Sequence, residues 1–311
     1  MKSRLLPLAL IGSIAVTGCQ SGFKLSPIGP DSPELTDTNV IGDTLSKWSP
    51  FVGLHADATA FEAYRDSLNL MIRAGQLRGV RVEIDRGGEA LNNRVIRMVG
   101  SLGVEILGLV NNFYLTDPNV EQRIDEIFNA YPEIRYFQIG NEITTIDPGP
   151  HMTVEEYIAI FNRIYQHISV RYPKRILVTY ALLGSGIGGP TELQKMVNLG
   201  LANTDPSKVV IAINCYNAND INGEYLGLLN GPLRGYRKWV TETGVNNQDQ
   251  QISFVREHYP KLRNYLGAEA IFYYIHWGGD GIDKNFSLIG DVRNFPNYSK
   301  SPLFKVLTGD K

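Results

Sequence analysis

The sequence contains few cysteines and almost no net charge. Only Cys19 and Cys215 occur among its 311 residues, and no Cys-x-x-Cys or His-x-x-x-His spacing predicts a structural zinc site. Basic and acidic residues nearly balance, at 30 and 32, so the basic stripe of a nucleic-acid-binding protein is missing. We therefore expect no metal ion, no other cofactor and no nucleic-acid partner.

Long hydrophobic runs are also missing. The apolar run Leu5–Val16, which follows Lys2 and Arg4, is too short to cross a membrane as an ordinary helix and is typical of a signal peptide. It ends in Val16-Thr17-Gly18-Cys19, which resembles a bacterial lipobox. The resemblance implies that residues 1–18 are removed and that Cys19 carries lipid. The alternative is a plain secretory signal in which this cysteine has no role.

The segment after the signal has the composition of a tether. Residues 19–44 are rich in Ser, Pro, Gly, Asp and Thr, and one domain is predicted over residues 45–311. The residue after Cys19 is Gln20 and not an aspartate. In Gram-negative lipoproteins this pattern suggests transfer to the outer membrane. We expect a lipid-anchored protein of the bacterial envelope that contacts the membrane only through its N-terminal lipid. Because lipid would occupy Cys19, Cys215 would have no disulfide partner.

The domain alternates apolar, strand-like runs with segments of helical periodicity. The clearest helix begins at Thr153, where Thr153 and Glu156 fit a capping box. Other helices are predicted over 59–74, 89–102, 120–130, 191–201 and 248–266, and a short or broken one within 223–237. The eight predicted strands are 50–55, 79–84, 104–111, 134–140, 175–180, 208–214, 238–241 and 270–276.

This alternation predicts a (β/α)₈ barrel. Strands that read as continuous apolar runs are typical of a parallel sheet covered by helices, and eight of them fit the barrel. The rival is an open, doubly wound sheet. It would require a glycine-rich phosphate turn after the first strand, and His55-Ala56-Asp57 offers none.

Two segments place a glutamate at the end of a predicted strand. They are Ile139-Gly140-Asn141-Glu142 after the fourth strand and Thr241-Glu242-Thr243-Gly244 at the end of the seventh. Active sites of (β/α)₈ enzymes lie at the C-terminal ends of the strands. Cleavage of a glycosidic bond typically requires two carboxyl groups, one as general acid and the other as nucleophile or base.

These motifs resemble those of the retaining glycoside hydrolases of the (β/α)₈ superfamily called clan A. The resemblance implies that Glu142 is the general acid/base and that Glu242 is the nucleophile. It further implies sugar contacts by Asn141 at the 2-hydroxyl and by Trp277 at the floor of the −1 subsite. Tyr216 resembles a tyrosine that hydrogen-bonds the nucleophile, and Arg81 an arginine beneath it.

The sequence differs from the family pattern at one position, and the roles of several residues have two possible interpretations. Many members carry a histidine at the position of Asn214, two residues before the tyrosine. Arg81, Glu83 and Asp85 share one face of the second strand. They either bind sugar hydroxyls or form a buried ion-pair network. His55 either belongs to the site or is a core histidine, and Asn111 and Asn112 either contact hydroxyls or cap a loop.

The sequence thus predicts a retaining β-glycosidase that acts on a poly- or oligosaccharide. Two alternatives remain open. One is a glycan-binding lipoprotein without catalysis, and the other is a transglycosylase that remodels envelope polysaccharide with the same residues.

Overall fold

The computed structural model describes residues 50–54, 60–144, 150–183, 188–221, 223–279 and 281–310. Parallel strands form a closed barrel, because β5 pairs with both β4 and β7 while the remaining strands pair in the order β4-β3-β2-β1-β9-β8-β7. The barrel strands are β1 (Pro50–Leu54), β2 (Gly79–Ile84), β3 (Glu105–Val110), β4 (Tyr136–Ile139), β5 (Ile176–Val178), β7 (Val209–Asn214), β8 (Arg237–Thr243) and β9 (Ala270–Tyr273). The predicted (β/α)₈ fold is confirmed.

Helices surround the barrel. Val154–Arg171 begins with the predicted capping box, in which the side chains of Thr153 and Glu156 each bond to the other's backbone amide. The short helix predicted within 223–237 is present as Gly223–Asn230. In chain order the helices of the described ranges are α1 (Phe61–Arg73), α2 (Glu89–Ser101), α3 (Asn112–Leu115), α4 (Val120–Ala130), α5 (Val154–Arg171), α6 (Gly188–Asn198), α7 (Gly223–Asn230), α8 (Gln251–Leu266) and α9 (Pro302–Thr308).

The hydrophobic core has two layers. Alternate strand residues face the helices, as Val80, Val82 and Ile271 do, and form the outer layer. The inner layer fills the barrel and contains the rings of Tyr136 and Trp239, whose centroids lie 4.6 Å apart. The interior is therefore packed, and a ligand can enter only at the ends of the strands.

The fifth barrel strand is interrupted, although the sequence predicts it to be continuous over 175–180. It consists of β5 and a second piece, β6 (Leu182–Leu183), which pairs with the end of β7. Between them, the Thr179 hydroxyl accepts the Ala212 amide at 3.0 Å. A side chain there replaces the backbone partner that a continuous strand would supply.

The last barrel strand is shorter than predicted. β9 ends at Tyr273, whereas the prediction extends to His276. The His276 side chain turns away from the barrel and bonds to Ser67 of α1 at 2.6 Å. The chain then passes through β10 (Ile289–Gly290) and β11 (Ser299–Lys300), which pair antiparallel.

Several predictions lie outside the described residues. They are the signal segment 1–18, the tether 19–44 with the lipidation site Cys19, and the candidate site residue His55. Within the described ranges, no helix combines the length and apolarity needed to cross a membrane.

Candidate active site

Glu242 lies at the C-terminal end of β8, and both of its carboxylate oxygens are held. Arg81 Nη1 from β2 lies 2.7 Å from Oε1, and the Tyr216 hydroxyl donates to Oε2 at 2.8 Å. The side chains of Arg81 and Glu242 are only 9% and 8% exposed. A buried ion pair with good geometry and further hydrogen bonds fixes the direction of this carboxylate.

A bulge in β8 brings Glu242 into the barrel mouth. Trp239 faces the barrel interior and Val240 faces the outer layer, so strict alternation would turn residue 242 outward. Ile213 of β7 pairs with Val240, yet Asn214 pairs with Glu242, which leaves one extra residue on β8. This extra residue reverses the alternation, and Glu242 therefore points inward.

The Asn141–Glu142 segment follows β4 in an unusual backbone conformation. Gly140 has φ +81°, and Glu142 has φ +39°, a region that non-glycine residues adopt rarely. Asn112 supports the turn, because its side chain donates to the Asn141 carbonyl and accepts the Asn141 amide, each at 2.9 Å. A left-handed glutamate held by its neighbours is the kind of strain that clusters at functional sites.

A hydrogen-bond network connects the two glutamates. Asn141 Oδ1 accepts from Arg81 Nη2 at 3.0 Å, while Arg81 Nη1 contacts Glu242. On the other side, Asn214 Nδ2 donates to Glu142 Oε1 at 2.8 Å and lies 3.3 Å from Asn141 Oδ1. Glu142 and Glu242 thus belong to one cluster at the C-terminal end of the barrel.

The Tyr216 phenol lies against the Glu242 carboxylate. Burial chiefly raises the pKa of the Tyr216 phenol, and the negative charges of Glu242 and Glu142 raise it further. The hydroxyl therefore remains protonated at neutral pH and acts as a donor to Glu242.

Two further rings form a wall beside Tyr216. The centroids of Tyr274 and Phe286 lie 5.8 and 5.9 Å from that of Tyr216, with the rings edge to face. Burial, together with the charge of Glu242, raises the pKa of Tyr274. Trp277, in contrast, is 7% exposed and packs against Tyr64 of α1, with the ring centroids 6.4 Å apart. Its sugar-binding role stays a prediction.

The other candidates on β2 lie on the same side of the barrel mouth. Glu83 Oε1 and Asp85 Oδ1 accept from Asn111 Nδ2 at 2.7 and 2.9 Å. Asn111 also caps α3 by accepting the Phe113 amide, as the loop-cap reading expects. Arg81 forms a buried ion pair with Glu242, whereas sugar binding by Glu83 and Asp85 stays a prediction.

Three site residues were missed in the sequence. Asn214 stands where the family resemblance expects histidine, and it binds Glu142. Gln138 accepts from Arg81 Nε at 2.9 Å and belongs to the inward face of β4. Tyr274 continues the inward alternation of Ala270 and Phe272, a signal that was present in the sequence. The contacts themselves connect residues far apart in the chain and have no local signature.

Cys215 lies in the chain between two residues of the site, Asn214 and Tyr216. Cys215 is buried, and burial raises the pKa of its thiol to about 12, so it remains a neutral thiol. In the part of the chain that the structure describes, no three His, Cys, Asp or Glu side chains lie together in a way that could hold a metal ion.

Comparisons with known proteins identify the fold. No family model and no curated protein matches the chain. The β-mannanase of Thermomonospora fusca in its mannohexaose complex has a TM-score of 0.53 at 13% identity, over 85% of this chain and 89% of that chain. AbfB, a family 51 α-L-arabinofuranosidase from Bifidobacterium longum, has a TM-score of 0.58 at 12% identity, over 84% and 72%.

A third similar structure is the glycoside hydrolase family 17 β-1,3-glucanosyltransferase from Rhizomucor miehei. Its TM-score is 0.54 at 10% identity, over 81% of this chain and 96% of that chain. The chain spans only 59% of another similar structure, ScGas2 in complex with compound 8. At these identities the likenesses establish the (β/α)₈ barrel fold, and this fold is shared with enzymes whose names describe action on glycans.

Proposed function

We propose that the protein is a retaining β-glycosidase that cleaves a poly- or oligosaccharide by double displacement. The observation that carries the proposal is the buried Glu242 carboxylate, with one oxygen on Arg81 and the other on Tyr216. It lies in the same cluster as Glu142, at the end of the barrel where this fold places active sites. The resemblance of the fold to enzymes that act on glycans supports the same activity.

In the first step, Glu242 attacks the anomeric carbon and the bond to the leaving oxygen breaks. Glu142 transfers its proton to that oxygen, so the leaving group departs as a neutral alcohol. In the second step, Glu142 takes a proton from water, and the water oxygen displaces Glu242 from the same carbon. The configuration at that carbon is retained because it inverts twice.

The neighbours of the two glutamates suit these roles. Arg81 and Tyr216 hold the Glu242 carboxylate in one direction, as a nucleophile requires. Glu142 is half-buried, and one of its oxygens accepts from the neutral Asn214 amide at 2.8 Å. Three donors converge on Asn141 Oδ1, which fixes the amide orientation for a sugar hydroxyl.

The nucleophile is tested by trapping. A panel of 2-fluoro aryl glycosides should label the peptide that contains Glu242, while Glu242→Gln abolishes both labelling and hydrolysis. The matched control is Glu269→Gln, a glutamate at the opposite end of the barrel that pairs with Arg237 at 2.5 Å. Labelling elsewhere, or near wild-type turnover by Glu242→Gln, contradicts the assignment.

The acid/base role is tested by leaving-group dependence. Glu142→Ala should lose most activity on natural glycans and on poor leaving groups. It should keep the first step on dinitrophenyl glycosides, which depart without a proton. An equal loss on both substrate classes would argue against proton transfer by Glu142.

The transglycosylase alternative is favoured by one observation, the similarity to a β-1,3-glucanosyltransferase. An acceptor oligosaccharide then replaces water in the second step. Chromatography of the products, with and without added acceptor, separates the two: longer products indicate transfer. Calorimetric binding of oligosaccharides without turnover would instead support the non-catalytic, glycan-binding alternative.

The location is proposed from the lipobox resemblance. Lipid on Cys19 would anchor the chain in the bacterial envelope, most simply in the outer membrane. Metabolic labelling with a radioactive fatty acid should mark the wild-type chain and not Cys19→Ser. Equal absence of label in both chains would favour the plain secretory signal.

A further inference from the structure

A basic pocket lies at the end of the barrel opposite the candidate active site. It has a volume of about 820 Å³ and is formed where the chain enters β4, β5 and β7. Four basic side chains and one acidic side chain line it, with Pro132, Tyr172 and Pro173 as apolar flanks. The charged residues are Arg135, Lys174, Arg175, Lys208 and Glu133.

Two carboxylates act on these cations at longer range than an ion pair, Glu133 on Arg175 and Asp205 on Lys208. In the described ranges, none of them lies within the 4.0 Å ion-pair distance of an Asp or Glu. Arg175 instead donates to the carbonyls of Pro132 and Phe128, at 3.0 and 3.2 Å, and Lys208 donates to the Pro173 carbonyl. Carbonyl oxygens hold the side chains in place without cancelling their charge.

The basic pocket is part of a wider separation of positive and negative charge along the barrel axis. Between the end of each helix and the next barrel strand, the chain carries six basic and three acidic residues. Those residues are Arg78, Arg135, Lys174, Arg175, Lys208 and Arg234, with Glu133, Asp205 and Glu269.

The opposite end has the reverse sign. The described connections that follow the barrel strands carry seven acidic and four basic residues. They are Asp85, Asp117, Glu142, Asp220, Asp249, Asp283 and Asp291, with Arg86, Lys284, Arg293 and Lys300. Because the whole chain has a net charge of −2, the positive end is a local feature.

The topology attaches the N-terminal segment at this positive end. All barrel strands are parallel, and β1 starts at Pro50, so the chain that precedes it joins the barrel on the side of the basic pocket. About 30 residues separate Cys19 from Pro50. A chain of 30 residues can reach at most about 100 Å.

We propose that the basic pocket binds the phosphate head groups of an anionic lipid surface. A lipid on Cys19 would hold that surface within reach of the pocket, and the effective concentration of head groups would be high. Lysine and arginine near an anionic bilayer each strengthen its binding, so the barrel would lie with its N-terminal end on the membrane. The candidate active site would then face away from the lipid and toward soluble or secreted glycan.

Vesicle partitioning tests the proposal without relying on the lipid anchor. The full chain with Cys19→Ser is mixed with vesicles of phosphatidylcholine, with or without 30% phosphatidylglycerol, and the bound fraction is measured by sedimentation. Because Lys2 and Arg4 of the N-terminal segment also favour anionic vesicles, the preference is compared between variants that share this segment. We expect at least tenfold stronger partitioning to the anionic vesicles, lost in 0.5 M NaCl, because each cation contributes roughly fivefold.

Charge reversal locates the surface. Arg135→Glu with Lys174→Glu should remove most of the anionic preference. The matched control, Arg256→Glu with Lys305→Glu, changes the net charge equally at exposed helix positions and should keep that preference. Amine acetylation of the unaltered chain gives a second measure, since anionic vesicles should protect Lys174 and leave Lys305 reactive.

Three outcomes would overturn the proposal. They are equal binding to both vesicles, equal loss in both double variants, and unchanged acetylation of Lys174. Protection of Lys174 by inorganic phosphate alone, with no preference for anionic vesicles, would mean a site for a small soluble phosphate. Glycosidase assays on the same variants keep this test separate from the proposed activity.

Discussion

Removing Arg81 should destabilise the fold much more than removing an exposed arginine. Arg81→Met deletes the cation that contacts Glu242 at 2.7 Å, in a place where both side chains are less than 10% exposed. The Glu242 carboxylate would keep only its described hydrogen bond from Tyr216. The matched control is Arg65→Met on α1, whose partner Glu62 lies 2.5 Å away while the two side chains are 56% and 44% exposed.

The expected loss in the free energy of unfolding depends on how deeply each ion pair is buried. Leaving one charge of a buried pair without its partner costs about 3–5 kcal/mol. Arg81 also donates to Gln138 and Asn141, which adds to the loss. The exposed pair contributes about 0–1 kcal/mol because water screens it. We expect the free energy of unfolding to fall by about 3–5 kcal/mol in Arg81→Met and by less than about 1 kcal/mol in Arg65→Met.

A double-mutant cycle in urea, at constant pH and salt, isolates the pair. Arg81→Met and Glu242→Gln should each destabilise, whereas the double variant should lose less than the sum because neither charge remains unpaired. We expect a coupling of about 2 kcal/mol or more. Additivity within about 0.5 kcal/mol, the behaviour of independent sites, would refute the reasoning.

Three further predictions concern the backbone, acid stability and the support of Glu142. Gly140→Ala should cost about 1–3 kcal/mol because φ is +81°, while Gly227→Ala, in a helix with open space, should be neutral or stabilising; urea denaturation compares them. Burial lowers the pKa of His276 from 6.5 to about 3, so only the unfolded chain takes up the proton between these values. Stability is therefore complete above about pH 6.5 and falls by roughly 1.4 kcal/mol per pH unit below it, and His276→Gln should show a shallower acid slope in denaturation curves. Thr144, two residues after Glu142, donates its hydroxyl to Glu192 at 2.6 Å. Glu192→Ala removes this acceptor and should lower kcat roughly tenfold with little change in KM; an effect on KM alone would contradict a positioning role.

Local sequence patterns predicted the elements that depend on local interactions. The capping box at Thr153 depends on residues three apart, and the helix it starts is present. Helix Val120–Ala130 has the predicted bounds, because its apolar residues recur with helical spacing and face the barrel. The end of the last barrel strand was mispredicted, since a contact between His276 and Ser67 of α1 decides it.

Part of the candidate site could also be predicted from local sequence patterns. The motifs at Asn141–Glu142 and Glu242 could be found because each follows a strand, and strand ends converge in a barrel. Asn214 and Tyr274 were missed, because their contacts depend on which inward positions meet across the barrel mouth. The roles of all these residues in catalysis stay predictions until the variants are measured.

By itself the sequence determined the alternation of strands and helices. In a parallel barrel this alternation suffices to bring residues 142 and 242 to the same end. Only the tertiary structure decided that a bulge turns Glu242 inward, that Glu142 adopts a left-handed conformation, and that Arg81 connects Asn141 to Glu242. The physical reason is range: periodicity and capping depend on neighbours in the chain, whereas register, bulges and buried charge pairs depend on strands that meet only when the barrel closes.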